Sequence, residues 1–292
     1  MLDPRMVQSS SLPVFYINLA SRPDRREFME AQFAHLGIAA ERIEATTIAE
    51  VPPALVASHA DRRTIWPIAA GDIACTLSHQ SIWHLMLERQ LPAALILEDD
   101  AVLTDSVMAF LEADVLSRHR ADIIKLETRG HAITMGEPRA STAGMQLCEL
   151  QSSHMGTAAY IASDKFARQS IDHALLSRMS VDRFMFGKGG LHLLNSRILQ
   201  VAPSPVVQLD RLGPRTATRP SAAQSDLTAP RSNRERQRSM PNLVELLAVN
   251  ATHTARLIGA AIHDPGIIGR KRQRVRFVGE GEPIAGSSTT SN

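Results

Sequence analysis

The chain has 292 residues, 44% of them apolar, and its 32 basic and 30 acidic side chains leave a net charge of +2. That composition belongs to a folded protein with room for one large domain and an appendage, and it excludes global disorder. No apolar run approaches the roughly 18–20 residues that a membrane span requires.

The opening MLDPRMVQSSSLPVFYINLA puts an acid and a proline where a signal peptide carries basic residues, and its apolar stretch is short for an h-region. A cytoplasmic protein is therefore expected. Pro13 to Ala20, PVFYINLA, is the first predicted strand, a short run of β-formers. Polar SRPDRREFMEAQFAHLG follows. Here Ser21 can cap a helix, Pro23 suits its first turn, and Phe28, Phe33 and Leu36 recur at roughly helical spacing up to Gly37. The segment GDIACTLSHQSIWHLMLERQ is the second predicted helix, with an apolar stripe at Ile73, Leu77, Ile82, Leu85 and Met86.

AALILEDD is the second strand, Ala121 to Glu127 the third and Gly156 to Ser163 the fourth, with a helix from Asp164. Strands alternating with helices predict an α/β domain whose mostly parallel central sheet is flanked by helices. Ligands of such sheets bind beyond the carboxyl ends of the strands. Cys75 and Cys148 lie far apart with no metal-ligand spacing, so they suggest neither a disulfide framework nor a zinc site.

Charge divides the chain. Up to residue 210 there are 19 basic and 24 acidic residues, and after it 13 and 6. The expected organisation is a domain over 13–210, a linker over 211–240 rich in Arg, Ser, Pro and Ala, and a basic C-terminal extension over 241–292. The extension holds an amphipathic helix marked by Leu243, Leu246, Leu247, Leu257 and Ile258. A basic run, Arg270, Lys271, Arg272, Arg274 and Arg276, follows it, and GSSTTSN closes the chain as a frayed tail.

The second strand ends on three carboxylates, Glu98, Asp99 and Asp100. Hard cations such as Mg²⁺ and Mn²⁺ take carboxylate oxygens and bind through one or two of them together with substrate phosphates. The triplet thus reads either as the seat of a metal–diphosphate unit or as solvated loop acids and caps for the helix expected in TDSVMAFLEADVL, where Asp105 suits a cap better.

Four segments in order resemble glycosyltransferase family 25, the lipopolysaccharide and lipooligosaccharide biosynthesis transferases that also include collagen galactosyltransferases. FYINLASRPDRR is similar to its opening strand-and-arginine motif, and GDIACTLSHQSIWHLML to its Gly-x-Ile-x-Cys-x-x-Ser-His helix. ALILEDDAVL is similar to its Glu-Asp-Asp metal motif, and GTAAYIAS with VDRFMF and PSPVVQ to its C-terminal portion. Together they span about residues 13–208. Ala74 departs from the pattern, standing where the family usually has a second glycine, which is a mild change on a helix.

The resemblance implies a GT-A-like single domain that moves a hexose, commonly galactose, from a UDP-sugar with inversion at the anomeric carbon. The implied acceptor is a lipopolysaccharide, lipooligosaccharide or other surface polysaccharide, and the implied cofactor Mn²⁺ or Mg²⁺. A cation on Asp100, with Asp99 or Glu98 assisting, would neutralise the diphosphate leaving group. Glu98 would face the ribose. Arg22 and Arg25 suit the diphosphate, by charge-assisted bonds, or a solvated helix face. Asn18 suits the nucleotide or a turn, and Ser78 and His79 the donor pocket or, for His79, the core. Adjacent helical residues point about 100° apart, so Ser78 and His79 do not read as a nucleophile and its base.

An inverting displacement needs a base for the acceptor hydroxyl. Asp182 in SVDRFMF, otherwise a helix N-cap, is the first choice and His154 the second. The basic tail suits an anionic membrane at the cytoplasmic face or simple solubilisation, and it lacks a nucleic-acid reader's motif. Two other classes compete. A catalytically silent nucleotide- or glycan-binding protein has little use for three clustered acids, and a two-metal phosphohydrolase would show further His or Asp ligands.

Overall fold

The computed structural model describes residues 11–59, 68–193, 195–212, 243–263 and 270–279. Strand β1 (Val14–Asn18) is buried along its whole length. Helix α1 (Pro23–Leu36) follows with Pro23 in its first turn, and Gly37, at φ 67°, ends it in the left-handed region that a side chain disfavours. Its N-cap is Arg22 rather than Ser21. After β2 (Ala40–Glu44) and α2 (Pro53–His59) comes the long helix α3 (Ala70–Glu88). Asp72 Oδ2 closes the first turn of α3 by accepting from the Ala69 N–H at 2.8 Å.

Strand β3 (Ala93–Glu98) leads within two residues into β4 (Ala101–Leu103). The helix expected in TDSVMAFLEADVL is instead a 3₁₀ segment over Asp105–Phe110, capped at Thr104, and then α4 (Val115–His119). Next come β5 (Ile123–Lys125), β6 (Glu127–Thr128), β7 (Ala132–Ile133) and the hairpin of β8 (Met135–Thr142) and β9 (Met145–Leu150). The elements β10 (Ala159–Ser163), α5 (Asp164–Ser170), α6 (Val181–Phe186), β11 (Ile198–Ala202) and β12 (Val206–Gln208) complete the main body. Two elements lie beyond it, α7 (Leu243–His263) and β13 (Gln273–Arg274).

Eight strands form one sheet in the order β2-β1-β3-β10-β5-β11-β9-β8. Its β1–β2, β1–β3 and β5–β11 ladders are parallel and the other four antiparallel. The sheet is therefore mixed, a correction to the mostly parallel expectation. The departure lies in β9 and β10, which run opposite to β3, β5 and β11, with β10 between β3 and β5 and β9 on the far side of β11. A tight hairpin reverses the chain, so β9 opposes β8.

Alternation along the strands separates two cores. Phe15, Ile17, Ala94, Ile96, Tyr160 and Ala162 face Ile82, Trp83 and Met86 of α3, Phe166 of α5 and Phe184 of α6. Val14, Tyr16, Leu95, Leu97 and Ile161 face Met29 and Phe33 of α1 and Leu116 of α4. Each large apolar side chain so buried contributes about 1.5–3 kcal/mol.

Three strands run on into a second sheet, ordered β4-β12-β6: β3 continues as β4, β5 as β6 and β11 as β12. The two sheets part at Glu98–Asp100, where the Asp100 carbonyl accepts from Leu209 N–H at 2.8 Å. This parting opens the ground for the site.

Residues 270–279 lie against the main body. Strand β13 pairs with β7, Val275 and Phe277 are buried, and Ser204 N–H donates to the Arg276 carbonyl at 2.7 Å. The linker expected over 211–240 falls almost wholly outside the described residues, as does the GSSTTSN tail. Among the described residues no helix is long and apolar enough to cross a membrane.

Candidate active site

A cavity of about 490 Å³ opens where the two sheets diverge, at the carboxyl ends of β1 and β3. Helix α3 supplies one wall. Gly71, Ala74, Cys75, Ser78 and His79 line it because spacings of three and four residues share a helix face. That spacing is the physical content of the Gly-x-Ile-x-Cys-x-x-Ser-His pattern. Ser78 Oγ is committed to the backbone, donating to Ala74 O at 2.8 Å and accepting from Thr46 N–H at 2.9 Å. His79 has no exposed surface and lies 3.3 Å, through Nε2, from Glu98 Oε1.

The acidic triplet forms the floor, and its three members differ. Glu98 Oε1 accepts from Thr157 Oγ1 at 2.5 Å. Asp99 is held by protein groups on both oxygens, Arg25 Nη1 at 2.6 Å on Oδ1 and Asn18 Nδ2 at 2.9 Å on Oδ2. Burial raises its pKa while Arg25 and Asn18 pull it back. Asp100 Oδ1 is buried with no hydrogen-bond partner, and Oδ2 is 4.0 Å from Arg25. Burial, then the neighbouring Glu98 charge, pushes the Asp100 carboxyl up to about 8. A buried carboxylate oxygen with no partner, among further acids, suits a hard divalent cation. The residues therefore fit the metal that the resemblance implies, with Asp100 as the holder and Asp99 already engaged.

Of the other residues singled out from the sequence, Asp182 lines the cavity near the start of α6. Its Oδ1 accepts from Ser180 Oγ at 2.5 Å and Arg183 N–H at 2.8 Å, and its Oδ2 makes no hydrogen bond among the described residues. The N-cap is Ser180, not Asp182. Arg25 lines the cavity, whereas Arg22 pairs with Asp24 through two bonds of 3.0 and 2.9 Å and does not line it. Asn18 supports the floor, joining the Arg22 carbonyl, Asp99 and Arg42.

His154 is not on the cavity wall. It is buried, 2.7 Å from Gln200 Oε1 through Nδ1, and accepts from Arg129 N–H through Nε2 at 3.4 Å. Burial, then the Lys125 charge, lowers its pKa to about 3.

Arg129, Thr157, Asp210 and Arg211 are among the cavity-lining residues that escaped the sequence reading. Arg129 stands two residues beyond the third predicted strand, Thr157 is the second residue of the fourth, and Asp210 closes PSPVVQLD. A charged or hydroxyl residue at a strand end was the available signal. Asp210 adds negative charge near Asp100. Behind Gly156, Lys125 and Glu127 form an ion pair at 2.6 Å with no exposed side-chain surface. Burial pushes Lys125 down and Glu127 up, toward neutrality, against their mutual attraction. Lys125 Nζ also donates to Gly156 O and sits 4.2 Å from the Phe186 ring centroid.

The fold and the site define an α/β protein with a carboxylate-floored cavity at strand ends, walled by the Gly-x-Ile-x-Cys-x-x-Ser-His face of one helix. Residues 11–185 match the family model described as glycosyltransferase family 25 (LPS biosynthesis protein), and the chain belongs to that family. It is 32% identical over 182 residues to the lacto-N-neotetraose biosynthesis glycosyltransferase LgtB of Neisseria gonorrhoeae, covering 59% of this chain and 65% of that protein. It is 25% identical over 211 residues to the lipooligosaccharide biosynthesis protein lic2B of Haemophilus influenzae, covering 69% and 77%. A glycosyltransferase 25 family member of Drosophila melanogaster is 38% identical over 95 residues, 30% of this chain and 16% of that one. The chain thus spans a little under two thirds of the length of the LgtB relative.

Proposed function

We propose that the protein is a GT-A-like glycosyltransferase of lipopolysaccharide or lipooligosaccharide biosynthesis. It transfers a hexose, galactose, from a UDP-sugar to a glycan hydroxyl in one inverting displacement. The observation that carries the reading is the buried Asp100 oxygen without a partner, on a cavity floor at a strand end. Membership of family 25 supports it, as do the names of the LgtB and lic2B relatives.

A divalent cation at Asp100, Mn²⁺ or Mg²⁺, supplies charge neutralisation for the diphosphate leaving group. The chain's own residues do the rest. Arg129 lines the cavity, makes no ion pair among the described residues and has a buried Nε without a partner there, so its guanidinium is available to the diphosphate, whereas Arg25 is already bound to Asp99. Glu98, Ser78 and His79 form the donor wall. Asp182 takes the acceptor proton on Oδ2, the oxygen without a hydrogen bond among the described residues.

A lipid-linked acceptor at an anionic membrane suits the C-terminal part. Val244, Leu247 and Ile258 of α7 are exposed, as are Lys271, Arg272, Arg274 and Arg276. Co-sedimentation with anionic but not neutral vesicles checks this point.

Calorimetric titration with UDP in Mn²⁺ and in EDTA, on the wild type and Asp100→Asn, tests the main reading. Metal-dependent binding lost in the variant supports it and opens a donor and acceptor screen. No UDP binding by the folded wild type, with or without metal, sinks the UDP-sugar reading.

A further inference from the structure

Behind the cavity wall, three side chains with no exposed surface form a hydrogen-bonded row ending on Glu98. Trp83 Nε1–H donates to Tyr160 Oη at 3.0 Å, and Tyr160 Oη lies 2.9 Å from His79 Nδ1. His79 Nε2 in turn lies 3.3 Å from Glu98 Oε1. An indole is a donor only, so Trp83 occupies a lone pair of the tyrosine oxygen. The hydroxyl's single proton then needs an acceptor, and His79 Nδ1 is the one it meets among the described residues.

The Nδ1–H tautomer of His79 would leave that buried proton unpaired, which folded proteins rarely tolerate. Nδ1 is therefore the acceptor, and the ring proton sits on Nε2, toward Glu98. Glu98 Oε1 receives a second donor, Thr157 Oγ1.

We propose that Tyr160, backed by Trp83, is a positioning residue that sets His79 in the Nε2–H tautomer. His79 and Thr157 then hold the Glu98 carboxylate as an acceptor for a substrate hydroxyl of the sugar or ribose class. The hydroxyl-binding part rests on the transferase reading, and the tautomer does not.

The same row decides the character of a neighbouring trio. One ligand atom each from Cys75, His79 and Glu98 lie within 4.8 Å of one another, a thiol, an imidazole and a carboxylate of the kind that holds zinc. A metal on His79 Nε2 needs that nitrogen's lone pair and hence the opposite tautomer, which strips Tyr160 of its acceptor. The trio is thus a hydrogen-bonded wall and not a zinc centre.

The test is a long-range ¹H–¹⁵N spectrum of the full chain labelled at histidine, with the His79 signals assigned by their loss in His79→Gln. The expected wild-type pattern is an unprotonated Nδ1 and a protonated Nε2. In Tyr160→Phe the Nδ1–H tautomer becomes detectable beside the Nε2–H form that Glu98 still favours, and the Kd for UDP rises about tenfold, the size of one lost hydrogen bond to a charged partner. In Trp83→Phe the tautomer is unchanged, because Tyr160 still donates.

A wild-type ring protonated on Nδ1, or on both nitrogens, overturns the proposal. So does zinc uptake of one ion per chain that Cys75→Ser abolishes, or a Tyr160→Phe spectrum identical to wild type. Mixed tautomers with an unchanged Kd overturn the Glu98 part. The wild-type spectrum decides the tautomer even where Tyr160→Phe fails to fold. The expected tautomer in a wild type that binds no UDP would sink the transferase reading and leave the row standing.

Discussion

Arg25 Nη1 lies 2.6 Å from Asp99 Oδ1 and 4.0 Å from Asp100 Oδ2, so one guanidinium engages the first acid closely and leaves the second underserved. Two adjacent aspartates consequently do different work. Asp99→Ala removes the closest partner of the buried Arg25 and lowers the unfolding free energy by about 3 kcal/mol, the scale for breaking a buried pair, measured by urea denaturation. Asp100→Asn leaves stability close to wild type or above it, and removes the metal-dependent part of UDP binding. A carboxyl pushed up to about 8 must release its proton to hold a cation. Metal-supported affinity should therefore fall as pH drops below that value, and titrations at pH 6 and 8.5 read the difference.

Arg129 provides a sharper check on the donor. Replacing it by Gln should weaken UDP about tenfold, as expected for one charge-assisted contact, and leave uridine binding unchanged. Equal losses for both ligands would show that Arg129 does not act on the diphosphate. A raised acceptor KM with UDP affinity intact would move it to the acceptor side.

Gly156 sits at φ +104°, and a Cβ there would lie 2.4 Å from Glu127 Oε1. Gly156→Ala thus meets both a strained backbone and the buried ion pair, and it should cost about 3 kcal/mol in a chemical melt. Lys125→Met leaves Glu127 buried without its cation and should cost about 3–5 kcal/mol, whereas Lys125→Met with Glu127→Leu should recover most of that loss. A double variant as unstable as the single one would mean that the pair holds the Gly156 turn in a way that apolar packing cannot replace.

His154 and His192 each have a pKa lowered to about 3, chiefly by burial. The unfolded chain takes up protons at these rings near pH 6.5 and the folded chain does not, so stability is full above that pH and declines on acidification toward 3. Each ring contributes a slope of up to about 1.4 kcal/mol per pH unit in that window. Urea midpoints between pH 7 and 4 check this, and His154→Gln, which keeps a partner for Gln200, should flatten the curve.

The local elements were legible because their signals are local. Pro23 and Gly37 bracket α1, the β-forming runs mark β1, β3 and β10, and the helical stripe marks α3. The acidic triplet and the Cys-x-x-Ser-His face could be read for the same reason, since side-chain type and spacing along one element declare which groups share a surface.

Direction within the sheet was not legible. β10 reads like any parallel strand, yet in the fold it pairs antiparallel with both β3 and β5. Nor could the sequence tell Asp99 from Asp100, or say that Arg22 pairs beside itself while Arg25 crosses 74 positions to the floor. It gave no hint that Tyr160, His79 and Glu98 share one proton row, or that Lys125 and Glu127 pair with no exposed side-chain surface. Composition and periodicity determined which segments are strands and helices and which residue types stand at strand ends. Only the folded chain decided which of those charges already has a partner, because burial and long-range contact set the electrostatics of each group and neither is written in its neighbours along the chain.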